Sequence, residues 1–308
     1  MNAPDDICGV VVTYQPDEHV PGNLRRMLAE CGRLLVVDNG SSPDGRERLR
    51  AVAGVELMAL KHNVGIAAAL NVGARRAIAE GRRWIVTFDQ DSSPRGGMVA
   101  ALRAAAARAP HAAIVAPCII EPIAGAPPYR WVRRHPRSRW WFQRVACKGV
   151  DLDVTMAVSS GSLVELETWR RLGGFDEGLF IDYVDVDYCL RVQRAGLGVV
   201  VAAGAGLDHR LGAREAGVVL GHAFRPTHHA AFRHYYMARN RVWTWRRHAC
   251  AMPHWAVFDL CFAGYNALRV LGLERDRWQK MKAIALGTWD GLRGRSGPCP
   301  AHWLRGGG

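Results

Sequence analysis

Two stretches of this chain place acids in apolar surroundings. "TFDQDSS" (87–93) carries Asp89 and Asp91 one residue apart at the end of an apolar run. "LFIDYVDVDYCLR" (179–191) sets Asp182, Asp185 and Asp187 among Leu, Phe, Ile, Val and Tyr. Carboxylates in such company need something to pair with them. A D-x-D pair offers hard oxygen ligands that suit Mg2+ or Mn2+, ions that keep waters and take further oxygens from a phosphate. Its plain alternative is a capped turn, with Asp91 or Ser92 capping a following helix. In the second stretch Asp187 and Arg191 are spaced for an i,i+4 ion pair. Asp182 lies three residues before Asp185, where it could share that face or cap the turn. One of these acids could serve as a general base.

Something must hold these groups in place. "CGVVVTYQP" (8–16), "RLLVVDNGSS" (33–42), "RWIVTFDQDSS" (83–93) and "AAIVAPCII" (112–120) read as buried strands. "HVPGNLRRMLAEC" (19–31), "GIAAALNVGARRAIAEG" (65–81) and "GGMVAALRAAAARAP" (96–110) read as the helices between them. Strands alternating with helices predict βαβ units and a mostly parallel sheet covered on both faces. Polar residues gather where the strands stop: Thr13 and Tyr14, Asp38 and Asn39, Asp89 and Asp91. Open α/β sheets bind ligands outside the carboxyl ends of their strands, so one cleft should collect all three clusters.

"VVDNGS" places Asp38 where it could accept the imide N–H of a uracil or thymine base. "KHNVGIAAALNVGARRA" (61–77) is Gly-rich and opens a helix, a fit place for backbone N–H groups to meet phosphate. No G-x-G-x-x-G follows the first strand and no G-x-x-x-x-G-K-[ST] occurs, so neither a dinucleotide fingerprint nor a P-loop is present. After the Pro/Gly stretch 121–128, residues 153–175 predict strand, turn and helix, and 195–209 a further strand. From about Phe224 the pattern is helical and basic.

Seven motifs, "VVTYQP", "VVDNGS", "NVGIAAALNVG", "FDQDS", "SSGSLV", "GGFDEGLFIDYVDVDYCLR" and "YYMARNR", occur in one order. That order resembles the family 2 glycosyltransferases of the GT-A fold, above all bacterial rhamnosyltransferases that use dTDP-L-rhamnose. The likeness covers about residues 7–245. It implies a Rossmann-like nucleotide-sugar sheet with flanking helices as a catalytic domain over 1–245. Its donor half would be about 1–120 and its acceptor half about 121–245, followed by a helical, basic tail at 246–308. By resemblance, Thr13, Tyr14 and Asp38 would line the nucleobase pocket, with Asn63 and Gly65 beside the ribose and phosphates. Asp89 and Asp91 would hold the divalent ion, with His209 as a third ligand, and Arg239 would neutralise the diphosphate. Ser160, Gly161, Asp182 and Asp187 would lie near the acceptor or donor sugar. Asp185 aligns with the general base of an inverting transfer; the Glu usual one position earlier is Val184 here.

The net charge of +13 is uneven: residues 220–308 carry 14 Lys/Arg against 4 Asp/Glu. Residues 129–149 add seven Arg/Lys interleaved with Trp131, Trp140, Trp141 and Phe142. Basic and aromatic together can mean nucleic acid or an anionic membrane surface. Acids lining the proposed cleft would repel phosphodiesters, so no nucleic acid is expected. The expected partners are a nucleotide-sugar donor, a saccharide acceptor carried on a lipid, and the membrane on which surface polysaccharide such as O-antigen is built. Hexose and galactofuranose donors are the alternatives to rhamnose. "MNAPDDICGV" lacks a signal-peptide pattern, so a cytoplasmic enzyme, peripheral on the inner membrane face, is expected. None of the eight cysteines forms a C-x-x-C pair, and reduced thiols are expected.

Overall fold

A computed structural model describes residues 6–120, 129–209, 217–219, 222–224, 230–274 and 276–300. The first stretch contains β1 (Ile7–Thr13), α1 (Val20–Cys31), β2 (Leu34–Asp38), α2 (Pro43–Arg50) and β3 (Val55–Ala59). It continues with α3 (Ile66–Ala79), β4 (Trp84–Asp89), β5 (Ser92–Pro94), α4 (Met98–Arg108) and β6 (Ala112–Ile120). Then follow β7 (Arg130–Arg134), β8 (Phe142–Ala146), β9 (Leu152–Asp153), β10 (Leu163–Glu165), α5 (Leu166–Arg171), α6 (Val184–Arg194) and β11 (Gly198–His209). The last elements are β12 (Gly217–Val219), β13 (His222–Phe224), α7 (Ala231–His248), α8 (Pro253–Leu273) and α9 (Arg277–Leu292).

The central sheet runs β3-β2-β1-β4-β10-β6-β11-β5, with β9 also on β11. Pairs β3-β2, β2-β1, β1-β4 and β6-β11 are parallel, while β10 is antiparallel between β4 and β6. β1 and β2 are buried along their whole length, as unbroken apolar runs must be when helices cover both faces. This is the mixed α/β fold the alternation predicts.

Two elements carry no periodic signal. α2 ("PDGRERLR") has one buried apolar side chain, Leu49, and is set by its ends: the Ser42 hydroxyl accepts from the Gly45 N–H, Pro43 follows, and Arg48 and Arg50 lie in the last turn. β3 is only half-buried at the sheet's edge. The basic-aromatic segment contains the β7-β8 ladder rather than a plain loop.

The thiol expectation is corrected at one pair. Cys118 on β6 and Cys147 after β8 form a disulfide with a Cα–Cα separation of 6.3 Å. They are 29 residues apart, and chain folding rather than a spacing motif brings them together. Cys8, Cys31, Cys189, Cys250, Cys261 and Cys299 are free thiols.

The chain forms two compact units. The first contains Met1–Arg133, Arg144–Glu177 and Val184–His209; the second contains Arg134–Gln143, Gly178–Tyr183 and Arg210–Gly308. α7 and α9 both belong to the second unit. Gly287 and Gly291 of α9 lie against the backbone carbonyls of Tyr235 and Arg239, an approach that any Cβ would block. α8 joins them through Asp259, buried at 4 % exposure, which accepts from Tyr183 Oη, Arg241 Nε and Trp245 Nε1. Burial, reinforced by the Asp259 charge, pushes the Tyr183 phenol well above the tyrosine range and keeps it a donor.

Candidate active site

Strand register brings the three polar clusters together. Thr13 pairs with Asp38 across β1-β2, and Val12 pairs with Asp89 across β1-β4, so the acids and Thr13 end neighbouring strands on one edge. Tyr14 continues from β1 and is half exposed. Thr13 is fully buried and its hydroxyl finds no hydrogen-bond partner among the described residues, a polar atom suited to a ligand's donor or acceptor.

Asp38 is brought to this edge, but its carboxylate is fully buried. It accepts the Ser41 N–H and hydroxyl, with Arg46 Nε 3.7 Å away. Ser41 Oγ also accepts the Gln15 N–H at 2.9 Å, binding the β1 and β2 loops together. Asp38 thus anchors the loop that follows β2.

Asn63 is exposed, and Gly65 starts α3 at φ +88. The Asn63 amide oxygen accepts from Asn39 Nδ2 and the Gly65 N–H, while Asn39 Oδ1 accepts the Val64 N–H. This pair fixes the loop that aims the α3 N-terminus. Gly40 (φ +86) lets the loops approach, since a Cβ there would sit 2.5 Å from the His62 carbonyl carbon.

Sequence reasoning missed Gln90, the residue between the two aspartates. Its side-chain oxygen accepts the Tyr14 N–H at 2.9 Å, its amide donates to the Tyr14 carbonyl at 3.1 Å, and its own carbonyl accepts Asn23 Nδ2. A β-ladder-like pair thus ties the D-x-D turn to the β1 loop. Gln amides make such pairs without any local pattern, so the only signal was a polar residue between two acids.

Ser160 is 1 % exposed; its hydroxyl accepts the Asp89 N–H at 3.0 Å and lies 2.7 Å from Ser92 Oγ. Gly161 donates its N–H to the Thr87 carbonyl, and at φ +77 its missing Cβ would meet Pro117 Cγ at 2.7 Å. Both shape the D-x-D turn from beneath. Asp89 is half-buried and Asp91 exposed.

The three aspartates of residues 179–191 also part company. Asp185 sits half-buried in the first turn of α6 and accepts the Val186 N–H at 2.8 Å. Asp187 is fully buried and takes Arg191 Nε at 2.8 Å, the i,i+4 pair its spacing predicts. Arg191 continues to the Leu172 and Gly174 carbonyls, so the Asp187–Arg191 pair ties α6 to the segment before it. Asp182 belongs to the second unit, where Arg233 Nη2 holds its carboxylate at 2.6 Å. Near Asp185, burial pushes the Cys189 thiol up to about 12, so it is a poor nucleophile. Asn71 of α3, another residue without a sequence signal, grips both the N–H and the carbonyl of Phe175 in the lead to α6.

Arg239 lies within α7. It is 1 % exposed and donates to the carbonyls of Gly178, Leu179 and Gly297 and to Asn240 Oδ1. His209 ends β11, its backbone in register with Ser92, next to Asp91; its side chain lies outside the described residues.

The D-x-D turn fits a divalent cation by the chemistry of its donors. Asp89 and Asp91 offer carboxylate oxygens, and no third His, Cys, Asp or Glu joins them among the described residues. Two protein carboxylates, with the remaining positions left to water and phosphate, match the habits of Mg2+ and Mn2+.

Residues 10–162 match the family model described as Glycosyl transferase family 2. The chain is 27 % identical over 297 residues to the dTDP-rhamnosyl transferase RfbF of Shigella flexneri, covering 95 % of this chain and 97 % of that one. It is also 27 % identical to the N-acetylglucosaminyl-diphospho-decaprenol L-rhamnosyltransferase of Mycobacterium tuberculosis, over 65 % of this chain and 75 % of the relative. Among solved structures, GalNAc-T7 with UDP, GalNAc and Mn2+ shares the fold at a TM-score of 0.55 and 14 % identity. That match covers 76 % of this chain but spans only 47 % of the GalNAc-T7 chain.

Proposed function

We propose that this chain, whose residues 10–162 match the family 2 glycosyltransferase model, is a glycosyltransferase that transfers L-rhamnose from dTDP-L-rhamnose to a saccharide carried on a lipid. The observation that carries this reading is the likeness to a dTDP-rhamnosyl transferase along nearly the whole of both chains. The acceptor hydroxyl gives its proton to Asp185 as its oxygen attacks the anomeric carbon from the face opposite the diphosphate. The bond from that carbon to the phosphate oxygen breaks, and the configuration inverts. Thr13 and Tyr14 bound the base pocket, and Asn63 with the Gly65 end of α3 faces ribose and phosphate. Asp89 and Asp91, with His209 as the resemblance implies, hold Mg2+ or Mn2+, which when bound offsets the charge growing on the departing diphosphate.

A donor screen tests this. Purified protein with Mn2+ or Mg2+ and a lipid-linked saccharide is expected to release dTDP from dTDP-L-rhamnose faster than nucleoside diphosphate from uridine-linked hexoses or galactofuranose. Preference for a uridine-linked sugar moves the donor; no turnover with any donor removes the enzyme reading.

The reading extends to an enzyme peripheral on the cytoplasmic face of an anionic membrane, working in surface polysaccharide synthesis. No described helix is long and apolar enough to cross a membrane. The exposed residues of α8 from Leu260 to Gly272 include Phe262, Tyr265, Leu268 and Leu271, and none is charged. Phe142, next to exposed Trp140 and Trp141, packs on Phe258 of that helix at 5.2 Å, and Phe258 stacks on Phe262. An apolar helix face beside Trp and Arg suits the headgroup boundary. Leu268→Glu, at 72 % exposure, should leave folding intact. It should weaken binding to phosphatidylglycerol vesicles by about tenfold or more, since burial of one Leu is worth about 1.5–3 kcal/mol. Equal co-sedimentation of variant and wild type would refute the docking face.

A further inference from the structure

Six residues precede the helix that carries Asp185, and three of them hold backbone conformations that side chains avoid. Phe180, Asp182 and Tyr183 have φ of +64, +62 and +65, in the left-handed region where only glycine sits freely. Such a run persists only where its surroundings over-determine it. Here the surroundings are two neighbouring side chains of α7. Asn240 Nδ2 donates to the carbonyls of Leu179, Ile181 and Asp182 at 2.8, 2.8 and 2.9 Å. Arg239 donates to those of Gly178 and Leu179. The Phe180 ring stacks on Tyr236 at 5.2 Å with the planes 9° apart. Arg233 holds the Asp182 carboxylate, and Asp259 accepts the Tyr183 hydroxyl. Asn240 and Arg239 are each 1 % exposed, so nothing outside the protein competes for them.

We infer that Arg239 and Asn240 are positioning residues for the transfer: they clamp Gly178–Tyr183 in its left-handed path and thereby set where α6 begins. The segment continues directly into Val184 and Asp185, so the direction in which the chain leaves Tyr183 determines the first turn of α6 and the base on it. Released from the clamp, three left-handed residues relax toward ordinary backbone regions, and a carboxylate one to two residues on moves with them. This rests on Asp185 being the base, and it gives the Arg-Asn pair a different task from neutralising the diphosphate.

The test uses the full chain with Asn240→Ala and Arg239→Lys. The lysine keeps the positive charge but cannot span several carbonyls. Both variants should lose roughly ten- to a hundredfold in kcat, the scale of a misplaced catalytic group, with dTDP binding within about twofold of wild type. Hydrogen exchange should rise at residues 178–186 while β1 and β4 stay protected, which separates local release from unfolding. Turnover within about twofold of wild type in both variants overturns the inference, as does unchanged exchange at 178–186. Loss of dTDP binding in Arg239→Lys with kcat preserved returns the guanidinium to the diphosphate. If the wild type turns over no donor, the functional reading fails instead, and the exchange measurement alone decides whether the clamp exists.

Discussion

Asp185→Asn is expected to lower turnover by about a hundredfold or more while donor binding stays near wild type, the range of general-base loss. The amide keeps the shape and can still meet the Val186 N–H through its oxygen, so the helix start is preserved. What it loses is the capacity to accept the acceptor hydroxyl's proton. Isothermal titration with dTDP and steady-state kinetics separate the two effects. The neighbouring acid provides the contrast. Asp187 is fully buried against Arg191, and breaking a buried pair from one side destabilises by about 3 kcal/mol. Asp187→Asn should therefore appear first as a lower melting temperature. If Asp187→Asn lowers kcat at unchanged stability and Asp185→Asn leaves it intact, the base has been assigned to the wrong residue.

Asp91→Ala should carry the second large effect. Asp91 is exposed at the end of the D-x-D turn, and the described structure gives that turn no fold-bearing dependence on its carboxylate, so the variant should fold. Mn2+ titration followed by calorimetry, in the presence of dTDP, should show affinity reduced about tenfold or more. Turnover should fall about a hundredfold, equivalent to about 3 kcal/mol of lost charge stabilisation. Chelation of the wild type should reproduce the kinetic loss and added Mn2+ should restore it. Unchanged Mn2+ affinity in Asp91→Ala would remove the D-x-D pair as the metal site, whatever the activity. Ser160→Ala is not a substitute for this experiment, because Ser160 supports the same turn from beneath and its loss would disturb Asp89 as well.

The strands and the edge they share were legible because both faces of the sheet are covered. "VVVT", "LLVVD" and "WIVTFD" stay apolar until the chain leaves the sheet, so the first polar residues mark the edge where a ligand can bind. The ion pair of Asp187 with Arg191 was legible for a similar reason, since helical spacing alone places the two side chains on one face. α2 was not, because a helix with one buried Leu is set by its caps and charges rather than by periodicity.

What no spacing could reveal is which polar side chains are already occupied. Ser160, Asp38, Asp182 and Arg239 all stand in motifs that suggested ligand contact, yet each is engaged by partners the protein itself supplies. Except for Ser41 beside Asp38, those partners lie far away in the chain: Asp89 for Ser160, Arg233 for Asp182, and the Gly178–Leu179 carbonyls for Arg239. The disulfide of Cys118 and Cys147 and the Gln90–Tyr14 amide pair are of the same kind. The order of residues determines the local period of each element and so its type, its buried face and the edge where chemistry collects. Which donors and acceptors are spent on the fold, and which are left for a substrate, is decided only when distant segments meet, because a buried polar group takes whichever partner packing brings to it.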